Sequence, residues 1–294
     1  MSPPFDASQV RRAFGRAARD YAKHAVLQRE VEDRLLERLE FLAEPPTCIL
    51  DLGCGPGRAS GVLRRRYKHA QLIAMDLALP MLREARRAGG WFTPLPRVCA
   101  DARRLPLADA SIDLLFSNLC IQWIEDVPAL FDEFRRVLRP GGFMALSTFG
   151  PMTLHELRSA WAEVDRAPHV SGFADIQRVG DAMLAAGFRD PVLDSDLFTL
   201  TYADATALMR DLKGIGATNA DAQRRRGLTG RARVAAVGAA YEPFRRDGRL
   251  PASYEVLYAH AFAPPPGQPR RSGGGEIASF PVDQLRRRVR SPSS

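Results

Sequence analysis

The stretch CILDLGCGPGRAS, Cys48 to Ser60, runs a short apolar segment straight into glycines at positions 53, 55 and 57. Cys48 to Asp51 reads as a buried strand and Arg58 onward as a helix, so the glycines occupy a strand-to-helix turn. Side chains are removed where backbone must bend sharply or where something must approach the main chain closely. The pattern D-x-G-x-G-x-G departs in its last spacing from G-x-G-x-x-G, the fingerprint that seats a pyrophosphate on a helix N-terminus. Asp51 stands just before the first glycine. A carboxylate there suits a cationic or zwitterionic ligand better than a phosphate.

Outward from this turn, short apolar strands alternate with amphipathic helices. Strands are predicted at 48–52, 71–76, 97–100, 112–117 and 142–148, with helices near 58–67, 80–88, 127–138 and 153–164. That order predicts an α/β fold, a doubly wound and mostly parallel sheet with helices on both faces. Helical spacing of apolar residues over 8–42 places one or two helices before the first strand. A helix near 176–186, a strand near 192–200 and a last strand at 254–263 complete the series, with helical segments near 204–212 and 231–246 inserted between those strands. One domain over 1–263 is expected: an N-terminal helical lid over 1–45, a core over 46–150, and substrate-side helices and last strands over 151–263. The Pro/Gly/Arg-rich tail, 264–294, reads as disordered.

The 294 residues are 46% hydrophobic and 26% charged, an ordinary balance for a globular chain. No apolar run is long enough to cross a membrane and the first residues lack a signal-peptide core, so a cytoplasmic protein without membrane partners is expected. Cys48, Cys54, Cys99 and Cys120 show neither zinc spacing nor a disulfide framework; they read as reduced, with two of them in buried strands, and no metal is expected. A net charge of +8 draws acidic partners. Basic clusters occur at Arg64–Lys68, Arg224–Arg226 and Arg286–Arg288.

Further acids fall at strand ends. Asp76 closes the second strand about twenty residues after the turn, where a carboxylate accepts hydrogen bonds from ribose hydroxyls. Asp101 follows the third strand and can accept an adenine amine, and Asn118 follows the fourth. All lie on the carboxyl edge of one sheet, where open α/β sheets bind ligands.

The segments ILDLGCGPG, AMDLALPMLREAR, DARRLPLADASIDLLFSN and FDEFRRVLRPGGFMALSTFG resemble the successive motifs of class I S-adenosylmethionine-dependent methyltransferases. The resemblance implies a Rossmann-like, seven-stranded sheet with an antiparallel last strand, S-adenosylmethionine as cofactor and S-adenosylhomocysteine as product. It implies that Gly53, Gly55 and Gly57 border the methionine part, Asp76 the ribose, Asp101 and Ala102 the adenine, and Asn118 the reaction side. Asp51, Cys54 and Leu77 complete the implied cofactor set. SNLCIQW lacks the Asn/Asp-Pro-Pro-aromatic element of nucleic-acid amino-methyltransferases, and Cys120 lacks the preceding proline of cytosine C5 enzymes, so no nucleic-acid partner is expected.

Beyond the cofactor motifs, AFGRAARDYAKHAVLQREVEDRLLERL (Ala13 to Leu39), SNLCIQW, TFGPMTLHELRSAW (Thr148 to Trp161), DRAPHVSGF (Asp165 to Phe173) and LMRDLKGIGATN (Leu208 to Asn219) resemble the malonyl-acyl-carrier-protein O-methyltransferases of biotin synthesis. The resemblance implies methylation of a malonyl carboxylate carried by an acidic acyl carrier protein, with the ester priming pimeloyl synthesis. Such a carboxylate is already ionised near neutral pH, so no general base is needed; holding it about 3–3.5 Å from the sulfonium methyl and excluding water would suffice. Tyr21, Arg158, His169 and Lys213 are candidates for positioning the carboxylate, with Gln122 and Trp123 shaping its pocket. A basic rim of Arg11, Arg12, Arg16 and Arg19, or of Arg224–Arg226, would steer the carrier. A monomer is expected. The alternatives are a methyltransferase of another small acid or quinone precursor, and a protein of the same fold acting in assembly or protein modification.

Overall fold

Short apolar runs become parallel strands here because each is covered on both faces. The computed structural model describes residues 5–89, 94–224, 227, 229–265, 270–272 and 275–277. Its elements are α1 (Ala7–Ala17), α2 (Tyr21–His24), α3 (Val26–Glu37), β1 (Cys48–Leu52), α4 (Arg58–Arg66), β2 (Gln71–Asp76), α5 (Leu79–Ala85), β3 (Arg97–Cys99), β4 (Ile112–Ser117), α6 (Val127–Val137), β5 (Leu138–Phe149), α7 (His155–Ala162), α8 (Ile176–Ala185), β6 (Arg189–Tyr202), α9 (Ala205–Gly214), α10 (Arg231–Tyr241) and β7 (Leu250–Phe262). Seven strands form one sheet in the order β3-β2-β1-β4-β5-β7-β6. β1 to β5 pair in parallel, and β7 is antiparallel to both its neighbours. This is the doubly wound sheet with an antiparallel last strand expected above.

Ile49 and Leu114 point into one helical layer, with α3, α4 and α7, while Leu50 and Leu115 point into the other, with α6 and α8. α6 shows how a helix finds its place. Asp126 caps it by accepting the Ala129 N–H at 3.0 Å, and Val127, Leu130, Phe131, Phe134 and Val137 form its buried stripe.

Several boundaries differ from the expectation, each for a physical reason. The lid comprises three helices, broken after Ala17 and at Ala25. α7 starts at His155 rather than 153 because Leu154 adopts a left-handed conformation (φ 53°) and its N–H bonds Ser253 O at 2.6 Å. α10 stops at Tyr241, a residue before a turn that contains Pro243. β6 and β7 are longer than 192–200 and 254–263 because their antiparallel ladder runs as far as Tyr202 opposite Leu250. The cysteines are all free, yet the two in β1 and β3 are not buried: Cys48 is half-buried and Cys99 exposed. In the tail, Arg270–Ser272 pairs antiparallel with Gly275–Ile277 (β8 and β9), against the disorder expected there; the remainder of 266–294, with the Arg286–Arg288 cluster, lies outside the described residues, as do Arg225 and Arg226. Among the described residues no helix is long and apolar enough to cross a membrane, and none of their acidic, histidine or cysteine side chains cluster as a metal site.

Candidate functional site

The glycine turn leaves β1 at the carboxyl edge of the sheet, and the backbone at all three glycines has positive φ: 71° at Gly53, 52° at Gly55 and 83° at Gly57. The reasons for lacking a side chain differ. A Cβ on Gly53 would stand 2.5 Å from Cβ and Sγ of Cys120, and one on Gly57 would stand 2.9 Å from Cβ of Ala85 on α5. Those two positions are closed by the protein itself. Only at Gly55 would a Cβ meet nothing within 4 Å, so this is where a ligand can lie against the main chain.

Two hollows flank the turn. The larger, about 780 Å³ and open to solvent, is lined on one side by Asp76, Leu77, Met81, Asp101 and Ala102, and on the other by the lid residues Val10, Phe14 and Tyr21 with Trp123. The smaller is lined by Glu32, Asp51, Cys54, Gly55 and Arg58. Tyr21, Gly53, Gly55 and Asn118 border both.

Asp76 is the best-held group of the site. Its Oδ2 accepts the Gly55 N–H at 3.0 Å and its Oδ1 the Ala78 N–H at 2.7 Å. Each oxygen keeps a second lone pair for a ligand hydroxyl. Burial pushes its pKa up to about 6. Asp51 is buried under the turn and accepts the Ser60 hydroxyl from α4; burial raises it to about 7. Asp101, by contrast, is partly exposed and gripped by Arg103, whose Nη2 lies 2.6 Å from Oδ2. That guanidinium holds it below the usual carboxylate range. An adenine amine would share this carboxylate with Arg103.

Glu32 and Arg58 belong to the site although the sequence did not single them out. Both look like solvated helix-face charges in isolation, and only the packing of α3 on α4 brings Arg58 Nη1 within 2.5 Å of Glu32 Oε1 and Nη2 within 2.7 Å of Asp33. Burial outweighs this cation and raises Glu32 to about 7. Three raised acids thus flank one turn, Glu32 and Asp51 on the smaller hollow and Asp76 on the larger. In the folded state they hold protons that the unfolded chain releases at lower pH, so stability falls as pH rises from about 4 to about 7. Replacing Glu32 by glutamine removes one of the three. Thermal unfolding of Glu32→Gln and wild type across that window should therefore diverge in favour of the variant as pH rises; a constant difference would contradict the raised value.

Tyr21 lies over the turn; burial, with Glu32 and Asp76 nearby, pushes its phenol far above the usual value, so it remains a hydroxyl. Cys120, pushed up to about 12 by burial, is no nucleophile. Asn118 donates to Gln28 O at 3.0 Å and accepts the Ser147 hydroxyl at 2.7 Å, tying the lid to the strand ends. Trp123 packs edge-on against Phe14, and its indole N–H is buried without a partner among the described residues. Gln122 faces a neighbouring hollow and donates to Leu119 O at 2.7 Å.

The remaining candidates lie apart from these hollows. Arg158 donates to the carbonyls of Pro151 and Thr153 at 3.0 and 3.1 Å, bracing the start of its own helix. His169 stacks on Trp161 at 3.5 Å and pairs with Asp165 at 2.7 Å. Lys213 is exposed in the last turn of α9.

Residues 50–146 match the family model described as a methyltransferase domain. A malonyl-acyl-carrier-protein O-methyltransferase of Xylella fastidiosa (strain M23) is 53% identical over 295 residues, covering 100% of both chains. One of Halorhodospira halophila is 51% identical and covers 96% of each. Among solved structures, a provisionally assigned methyltransferase from Bacillus halodurans C-125 superposes with a TM-score of 0.55 at 16% identity, covering 79% of this chain and 99% of that one, a likeness of fold.

Proposed function

The chain belongs to the malonyl-acyl-carrier-protein O-methyltransferase family, and on that premise we propose how its site transfers a methyl group from S-adenosylmethionine to the free carboxylate of a malonyl thioester on acyl carrier protein. The observation that carries the reading is likeness to the relatives over the whole chain, lid and last strands included.

The residues present fit the cofactor. The open face of Gly55 admits it to the main chain, Asp76 offers two acceptor oxygens to a ribose, and Leu77, Met81 and Ala102 offer an apolar slot for the base. Glu32 and Asp51 would face the methionine end, where positive charge favours their ionised forms. When bound, S-adenosylmethionine supplies an electrophilic methyl on a sulfonium. The malonyl carboxylate is already an anion at neutral pH, so the chain need not abstract a proton. The task of its residues is to place one carboxylate oxygen and exclude water. Tyr21 borders the larger hollow and carries a single donor, able to orient the carboxylate without gripping both oxygens and blunting the nucleophile, with Trp123 lining the wall beside it.

Incubation with S-adenosylmethionine and malonyl acyl carrier protein should add one methyl as an alkali-labile ester. Methylation of free malonate or other small acids, with none on the carrier-bound group, would contradict the reading.

Arg11, Arg12, Arg16 and Arg19 are exposed on and just beyond α1, beside the hollow. They form a basic rim for an acidic carrier. Exposed charges are screened over about 10 Å at 0.1 M salt, so added salt should raise KM for the carrier-bound substrate and leave a small malonyl thioester little affected. Equal salt sensitivity would remove the steering role.

A further inference from the structure

The motif stretch Leu208–Asn219 lines neither hollow beside the glycine turn, yet its C-terminal turn touches the lid twice. Gly214, the last residue of α9, lies directly against the His24 ring at the end of α2; a Cβ there would stand 2.5 Å from Cγ and Cδ2. Two residues on, Gly216 (φ +78°) lies against α1, where a Cβ would stand 3.0 Å from Cα of Phe14. Between the turn and the body of the protein, Asp211 reaches back. Its Oδ1 lies 2.8 Å from His24 Nδ1, and its Oδ2 accepts the Tyr202 hydroxyl from β6 at 2.9 Å.

The lid needs such a hold. α2 has only four residues, too few to hold itself as a helix, and Tyr21 at its start packs, partly buried, against Ala18, Ala78 and Met81, which leaves its far end to be held from elsewhere. Its first residue is Tyr21, which borders both hollows, and its last is His24, about one turn later. With Tyr21 packed at one end of α2, a hold on the ring of His24 at the other sets the tilt of the helix and with it the direction of the phenol.

We propose that His24 is a positioning residue: clamped between Asp211 and the bare backbone of Gly214, it latches α2 onto α9 so that Tyr21 closes over the cofactor crevice. This rests on the reading of that crevice as an S-adenosylmethionine site. Gly214 has a further role in the latch, since its missing side chain makes room for the ring.

The test uses the full-length protein, calorimetry with S-adenosylhomocysteine, KM for S-adenosylmethionine, and the thermal midpoint. One partly buried hydrogen bond to a carboxylate corresponds to about tenfold in affinity. His24→Ala should therefore weaken S-adenosylhomocysteine and raise KM for S-adenosylmethionine by about that factor, while the midpoint stays near wild type. His24→Asn, whose amide can place a donor where Nδ1 stands, should return the affinity to within about threefold. Gly214→Ala should reproduce the loss with His24 present, and adding it to His24→Ala should cost nothing more, because the ring it displaces is gone. The latch is overturned if His24→Ala binds like wild type, if His24→Asn is as weak as His24→Ala, or if the losses of His24→Ala and Gly214→Ala add. A wild type that takes up no S-adenosylhomocysteine would instead overturn the cofactor reading.

Discussion

Asp76→Ala should bind S-adenosylmethionine about 100- to 10,000-fold more weakly than wild type, since it loses two charge-assisted hydrogen bonds to ribose hydroxyls, each worth about 1.5–3 kcal/mol. The carboxylate that makes them is already aimed, through the Gly55 and Ala78 N–H groups, before any ligand arrives. Little ordering cost therefore offsets their gain. Asp101→Asn is the internal comparison. That carboxylate is partly exposed and shared with Arg103, so its loss should cost no more than about tenfold. Equal losses at the two positions, measured by calorimetry, would contradict the ranking.

Gly53→Ala should be the most destabilising small substitution in the turn. Left-handed backbone costs a residue with a Cβ about 1–2 kcal/mol, and the approach of Cys120 adds an overpacking cost of about 1–3 kcal/mol. Together these predict a loss of about 2–5 kcal/mol and, for a chain of this length, a fall in thermal midpoint of about 3–8 °C. Because the clash involves both Cβ and Sγ of Cys120, the double variant with Cys120→Gly should recover only the overpacking share. Full recovery would mean that the φ of Gly53 carries no cost, and none that Cys120 is not the obstacle.

How much of this was legible in the chain varies with the kind of signal. β1, β2 and β4 stand out as short, largely apolar runs, and their ends locate Asp51, Asp76 and Asn118 by topology alone. The glycine turn was legible as a turn, but not the division of labour within it. Cys120 and Ala85 come to Gly53 and Gly57 from distant parts of the chain, so only Gly55 is left for a ligand. The ends of β6 were obscured because alternate residues along it are exposed; in the fold, Arg38 and Arg34 of the lid side pair with Asp194 and Asp196 within the strand. Glu32 and Arg58 were hidden for the same reason, since a charge on a helix face reads as solvated until a second helix covers it. Arg158 and His169 show the converse, as side chains in matching stretches whose polar atoms the fold uses for its own turns.

The most direct measurement is a crystal structure of the protein with S-adenosylhomocysteine. The account predicts ribose hydroxyls on both oxygens of Asp76, the base beside Leu77 and Ala102, and main-chain contact at Gly55. A nucleoside bound elsewhere, or with its sugar turned away from Asp76, would contradict it.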